Sequence, residues 1–294
     1  MSEQDWLAER FEEHRTHLQA VAYRMLGSVS EADDAVQEAW LRLSRSDTSE
    51  VENLRAWLTT VVGRVSLNML RSRKARREES LDTHVPDPIV GRADGTDPER
   101  EAEMADSVGL ALLVVLDTLS PAERLAFVLH DMFAVPFAEI APMMGRSPAA
   151  ARQLASRGRR RVQGARVPDV DIRRQRRVVD AFLAAARNGD FDALVAVLDP
   201  DVVLRADGGA LRPGRSLVVQ GARTVAEQAS GFRRFAGNIQ PALVNGAAGV
   251  VAWAPNGKPF AVLGFTVRGD KIVEMDVVVD PERLRRLDLT DLTD

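Results

Sequence analysis

Between residues 146 and 166 the chain carries seven arginines and no acidic residue. Inside this stretch, Pro148–Val162 (PAAARQLASRGRRRV) repeats Ala151, Leu154, Ala155 and Gly158 at i, i+3, i+4, i+7, which marks the buried stripe of a helix. The opposite face then holds Arg152, Gln153, Ser156, Arg157, Arg159 and Arg160. These side chains suit nucleic acid. An arginine forks onto guanine O6 and N7, and a glutamine onto adenine N6 and N7. Trailing arginines suit phosphates, which position a protein without reading sequence. Upstream, residues 137–144 (FAEIAPMM) predict a short helix, Gly145 a turn, Ser147 an N-cap and Pro148 a first helical position. Together they predict a helix-turn-helix. A hairpin with a solvated basic face would share the periodicity, but a surface free of acids over small buried residues favours DNA.

A second basic block lies at residues 71–77 (RSRKARR), with five basic residues and no acidic one. Between the two blocks, residues 78–106 hold ten acidic residues against Arg92 and Arg100. The formal net charge of −4 therefore hides two basic segments separated by an acidic spacer.

The elements that must carry these blocks are legible in outline. Residues 5–44 read as helix, broken at Gly27-Ser28, with Ser30 expected to cap the second part and Asp33 at its N3 position. After a polar loop, residues 53–77 form a long helix through Leu54, Trp57, Leu58, Val61, Val62, Val65, Leu67 and Leu70. Residues 81–98, with three prolines and two glycines, read as linker or extended chain. Helix returns at about 99–118, and Ser120-Pro121-Ala122-Glu123 starts another with a capping box. Beyond residue 173 an amphipathic helix runs to 188, Asp192 starts a short one, and strands follow at Val202–Leu204, Leu217–Val219, Gly249–Ala254, Phe260–Val267 and Lys271–Val279. The fold class expected is multidomain: two all-α modules, the second with the helix-turn-helix, then an α+β domain with one curved sheet.

Composition excludes several functions. The chain has no cysteine, so disulfides and thiolate metal sites are out, which fits a reducing cytosol. Its four histidines are His14, His17, His84 and His130, none in the C-terminal half. No apolar run approaches the ~18 residues of a membrane span, and the acidic N-terminus lacks the apolar core of a secretory signal. No metal or cofactor is expected.

Four motifs extend the reading. Ala22-Tyr23-Arg24-Met25-Leu26-Gly27-Ser28 is followed by Glu31-Ala32-Asp33-Asp34-Ala35-Val36-Gln37-Glu38-Ala39-Trp40-Leu41-Arg42, then Arg55-Ala56-Trp57-Leu58 and Leu119-Ser120-Pro121-Ala122-Glu123-Arg124. In this order they resemble the extracytoplasmic-function group of sigma factors, over about residues 8–164. The resemblance implies a cytoplasmic transcription initiation factor whose partners are core RNA polymerase (β and β′ subunits) and promoter DNA. It implies region 2 at 1–80, a linker at 81–103 and region 4 at 104–166. Asp33, Asp34, Gln37, Glu38, Trp40 and Leu41 would dock on the polymerase. Asn68, Arg71, Arg73, Arg76 and Arg77 would meet the −10 element, and Arg152, Gln153, Ser156, Arg157 and Arg159 the −35 element. In this family flipped −10 bases enter the loop before Trp57, here Ser44–Asn53, which holds no aromatic residue; Ser46, Asp47, Thr48 or Asn53 offer polar capture. Trp40 and Trp57 are expected in the core. The acidic spacer would run through the polymerase toward the RNA exit path or serve as a solvated tether.

Residues 170–288 resemble the SnoaL-like, NTF2-like cone fold, through Phe182–Ala186, Gly189-Asp190, Asp199 to Leu204, Asp207-Gly208-Gly209 and the last strand. A subgroup of these sigma factors carries such a domain in place of a separate anti-sigma partner. It has a proline-rich linker motif, here His84-Val85-Pro86-Asp87-Pro88, a glycine loop, here Asp207-Gly208-Gly209-Ala210-Leu211, and a tail motif, here Asp280-Pro281-Glu282-Arg283-Leu284. The resemblance implies interdomain regulation through Pro86, Pro88, Asp207, Gly208, Gly209, Asp280, Pro281 and Leu284, without an obligate anti-sigma factor. Some cones are enzymes, and buried Asp207, Glu274 or Asp276 could move protons, but no histidine or tyrosine lies in this domain and no catalysis is expected. The alternative is a stand-alone helix-turn-helix regulator with a ligand-sensing cone.

Overall fold

The computed structural model describes residues 3–46, 51, 53–76, 84–93, 109–164, 169, 171–209, 216–231 and 238–292. They fall into two compact units, residues 1–79 with 115–165, and residues 80–114 with 166–294.

The first unit is helical. α1 (Glu3–Leu26), α2 (Val29–Leu43) and α3 (Leu54–Arg76) pack together around Phe11, Leu18, Met25, Val36, Leu43, Leu58 and Leu67. Gly27, at φ 68°, makes the turn between α1 and α2. The cap of α2 is Ser28, two residues earlier than expected: its hydroxyl accepts from the Glu31 N–H, while Ser30 lies inside the helix. Both serines fit a cap by type; the left-handed glycine before Ser28 decides between them.

α4 (Leu110–Asp117), α5 (Pro121–Phe127), a π-helical turn (Val128–Met132), α6 (Phe137–Met144) and α7 (Pro148–Val162) follow, with the unit boundary inside α4. The expected helix at 99–118 is seen only from Leu110; residues 94–108 lie outside the described residues. Ser120 and Glu123 close the capping box at α5, and Gly145 (φ 62°) turns the chain into α7, which Ser147 caps. Gly158 of α7 has to be small, because a Cβ there would sit 3.0 Å from that of Phe127. The two helical modules, expected as separate bodies, share this unit. Gly63 of α3 lies flat against Leu129, and the Arg124 guanidinium donates to the Arg24 carbonyl (3.1 Å) and pairs with Asp117.

The second unit is α+β. α8 (Ile172–Asn188), α9 (Phe191–Val197) and α10 (Ala222–Gly231) cover one face of a seven-stranded sheet. Its strands are β1 (Val90–Arg92), β2 (Leu198–Asp207), β3 (Leu217–Gln220), β4 (Ile239–Val244), β5 (Ala247–Trp253), β6 (Pro259–Arg268) and β7 (Lys271–Val278). Their order is β1-β4-β5-β6-β7-β2-β3, with β2 and β7 parallel and all other pairs antiparallel. α11 (Pro281–Leu284) and a 3₁₀ turn (Thr290–Leu292) complete it. α9 starts after Asp190, which caps it, and not at Asp192. Residues Val202, Leu204, Ala206, Val250, Phe265 and Val277 face the helices. Arg205, Asp207, Glu274 and Asp276 alternate with them and face the other way. That second face is also covered, since Leu110 approaches Gly264 there, and seven of the eight residues of β7 are buried. β1, β4 and α10 had no expected counterpart.

Among the described residues no helix is long and apolar enough to cross a membrane. The capping box predicts that Ser120→Ala lowers stability by about 1 kcal/mol, read as a shift in the urea midpoint; an unchanged midpoint would show that the cap contributes nothing.

Candidate nucleic-acid interface

The face of α7 opposite its buried stripe is presented to solvent. Arg152, Gln153, Arg157 and Arg159 are exposed and Ser156 half-buried, while Ala151, Ala155 and Gly158 are buried. Two of these side chains are restrained. The Arg159 Nε donates to Asp131 Oδ1 (2.8 Å), and the Arg152 guanidinium lies 5.4 Å from the Phe137 ring centroid. Behind them Arg161 pairs with Glu123 (3.3 Å) and belongs to the frame of the module.

On α3 the geometry corrects the expected −10 set. Asn68 and Arg71 are exposed. Arg73 instead turns inward, donating to the Leu26 carbonyl (3.1 Å) and pairing with Glu31, so it fastens the α1–α2 corner. Its type said basic, and only the fold shows that a helix C-terminus and a carboxylate stand within its reach. Arg76 ends α3 and nothing is described of its side chain; Arg77 lies outside the described residues.

Trp57 is not a core residue. It is partly exposed and lines a cavity of about 400 Å³ together with Arg42, Arg45, Ser46, Thr60, Val61 and Arg64. Trp57, Thr60, Val61, Arg64, Asn68 and Arg71 follow i, i+3, i+4, i+7 and on along α3, so the cavity and the exposed Asn68 and Arg71 form one stripe. Three guanidinium groups beside an indole suit a phosphate next to a stacked base. Of the polar residues expected to capture a base, Ser46 lines this cavity, Asn53 is used in capping α3 (Oδ1 accepts from the Ala56 N–H, 3.0 Å), and Asp47 and Thr48 lie outside the described residues. Arg42, Arg45 and Arg64 were missed. The signal is present in the sequence, because Arg64 continues the Trp57–Asn68 spacing, but Trp57 and Val61 also fit the apolar period of the helix. Trp40, expected in the core, is also partly exposed, with its ring 5.2 Å from that of Phe11.

The outer face of α2 carries Asp34, Gln37, Glu38 and Leu41 at i, i+3, i+4, i+7, with Leu41 38% exposed. Asp33 accepts from Gln19 (2.9 Å) and Glu38 from Arg42 (3.0 Å).

In the second unit the expected regulatory residues converge. Residues 84–93 are not a free tether. β1 pairs with β4, Ile89 exchanges two hydrogen bonds with Asn245 (2.8 and 3.1 Å), and Val85, Pro86 and Pro88 are buried. One Asp207 oxygen accepts from the Val85 N–H (3.1 Å) and from Arg283 (2.7 Å) and faces His84 (3.2 Å); the other accepts from the Gly209 N–H (2.9 Å). Arg283 also reaches Asp87 and the Val85 carbonyl. Burial alone would raise the Asp207 pKa, but these contacts outweigh it and hold the carboxyl well below the usual range. Gly208 donates to Ser216 (3.0 Å). Gly209 has φ 64°, and any Cβ on it would collide with Asp280, whose carboxylate caps α11 ahead of Pro281. Leu284 is buried beneath. Arg283 and Asn245, which hold the linker, were not singled out from sequence.

The residues considered for proton transfer are engaged in this same face. Arg205 pairs with both Glu274 and Asp276. Burial pushes Asp276 up to about 6 against the attraction of Arg205. Its folded pKa exceeds its unfolded one, so it costs stability as pH rises from about 4 to about 6, and no more above that. Asp276→Asn should therefore gain on wild type in urea midpoint between about pH 4.5 and pH 7; an equal difference at both would contradict the assignment.

Comparison with known proteins accords with this geometry. Residues 10–76 match the model of Sigma-70 region 2, residues 109–162 that of Sigma-70 region 4, and residues 179–275 that of the SnoaL-like domain. The chain is 41% identical to the ECF RNA polymerase sigma factor SigJ of Mycobacterium tuberculosis, over 93% of this chain and 91% of that protein. It is 34% identical to the probable ECF RNA polymerase sigma factor SigI of the same species, over 97% of each. The crystal structure of M. tuberculosis SigJ superposes with a TM-score of 0.77 at 36% identity, covering 96% of this chain and 99% of that one. With two sigma regions in order, a SnoaL-like domain behind them and full-length relatives of the same build, the chain belongs to the extracytoplasmic-function RNA polymerase sigma factors.

Proposed function

We propose that this sigma factor reads promoters with two surfaces and regulates itself in cis through its linker, in the cytoplasm and without an obligate anti-sigma partner. The exposed face of α7 reads the −35 element through Arg152, Gln153, Ser156 and Arg157. The α3 stripe meets the −10 element, with Trp57 stacking an unpaired base while Arg42, Arg45 and Arg64 hold neighbouring phosphates. Asn68 and Arg71 extend that contact. The α2 stripe of Asp34, Gln37, Glu38 and Leu41, with Asp33 and Trp40 beside it, docks on core polymerase.

The observation that carries the regulatory part is the clasp of Asp207 and Arg283 on Val85 and Asp87. A segment paired with β4 cannot at the same time extend through the polymerase, so binding core has to undo the clasp. The clasp is then inhibitory and the SnoaL-like domain regulatory, its buried carboxylates spent on ion pairs and not on turnover. A stand-alone operator-binding regulator would bind duplex DNA tightly by itself.

Runoff transcription with reconstituted core enzyme tests both parts. Trp57→Ala should cut open-complex formation at least tenfold while core binding stays as in wild type. Arg283→Ala should raise core affinity several-fold. Tight duplex binding without core, or an Arg283→Ala protein that binds core no better than wild type, would overturn the reading.

A further inference from the structure

We infer that the π-helical turn Val128–Met132 is a positioning element for promoter discrimination, acting through two adjacent residues on the two ends of the recognition face. The inference rests on the proposed −35 reading by α7.

Arg152 and Arg159 are seven residues apart, two turns along one face of α7. The same five-residue turn meets Arg159 directly and Arg152 through Phe137. His130 stacks on Phe137, with centroids 3.8 Å apart and planes at 27°, and the Arg152 guanidinium lies 5.4 Å from that same ring. The imidazole is itself fixed, because its Nδ1 donates to the Val135 carbonyl at 3.0 Å. Phe137 is the first residue of α6, so the ring has a rigid base. Asp131, the next residue, takes the Arg159 Nε at 2.8 Å and a second N–H of the same guanidinium. An α-helical turn advances each side chain by about 100°. The wider π turn carries His130 onto Phe137 and Asp131 onto Arg159, and such turns recur at functional sites. After it, Ala134 takes a left-handed φ of 55°, uncommon for a residue with a Cβ.

The two contacts have different consequences. An arginine stacked on a ring is pre-organised for a bidentate base contact, and less conformational freedom is lost on binding. Phe137 is thus a positioning residue for Arg152. Asp131 neutralises Arg159, which withholds one cation from the phosphate backbone. That weakens binding to every sequence and leaves discrimination to Arg152, Gln153, Ser156 and Arg157.

The test uses holoenzyme made with core polymerase and a promoter it selects from a randomised library, with each −35 base pair then substituted. Arg152→Ala identifies the base pair that Arg152 reads. Phe137→Leu should lower discrimination at that base pair about fivefold and spare the others, and Phe137→Tyr, which keeps the ring, should restore it. Asp131→Asn should raise affinity for non-specific duplex and steepen its salt slope by about 0.9, one added phosphate contact. Positioning is overturned if Phe137→Leu leaves that base pair as in wild type, or lowers binding equally at all positions as a folding defect would. The charge role is overturned if Asp131→Asn leaves the salt slope unchanged. If Arg152→Ala flattens no position, the −35 reading itself fails, an outcome distinct from failure of the positioning alone.

Discussion

A charged carboxylate sealed from water persists only where cations and N–H groups surround it. Asp207 is such a group, and its partners come from three separated parts of the chain: the linker at His84 and Val85, the glycine loop at Gly209, and the tail at Arg283. No single segment could satisfy it. The geometry of the second unit follows from that need. The loop must be glycine where Asp280 passes, α11 must start at Asp280 to present Arg283, and the linker must lie extended so that its N–H and carbonyl face the two side chains. Removing one partner would strand the others, which is why buried pairs of this kind fix a conformation more than they add stability.

The same face explains the burial of Arg205, Glu274 and Asp276. A sheet covered by helices on one side usually turns its polar residues to water on the other. Here the covering of the second face leaves three charged groups with one another as partners. One guanidinium serves two carboxylates, and burial makes Asp276 hold its proton more strongly despite that cation.

Much of this was legible from sequence where local chemistry decides. The capping box at Ser120, the turn at Gly145 and the buried stripe of Ala151, Ala155 and Gly158 stand as read, with Leu154 only half-buried, because a cap, a left-handed glycine and a helical period need no distant partner. What was not legible depended on distant partners. Arg73 and Arg159 looked like free readers until Glu31 and Asp131 came within reach. Trp57 fits a core period, and only the cleft beside Arg42 and Arg45 brings it to the surface. β1 is three residues of proline-flanked chain, too short to show alternation, and becomes a strand because β4 offers an open edge.

In the regulation proposed, the linker is clasped in the free factor and released on core polymerase. Amide hydrogen exchange at Val85, Ile89 and Val90 measures this directly, since their N–H groups lie in the docked segment. The account predicts slow exchange in the free protein and at least a hundredfold faster exchange once core polymerase is bound. Equal protection in both states would contradict it.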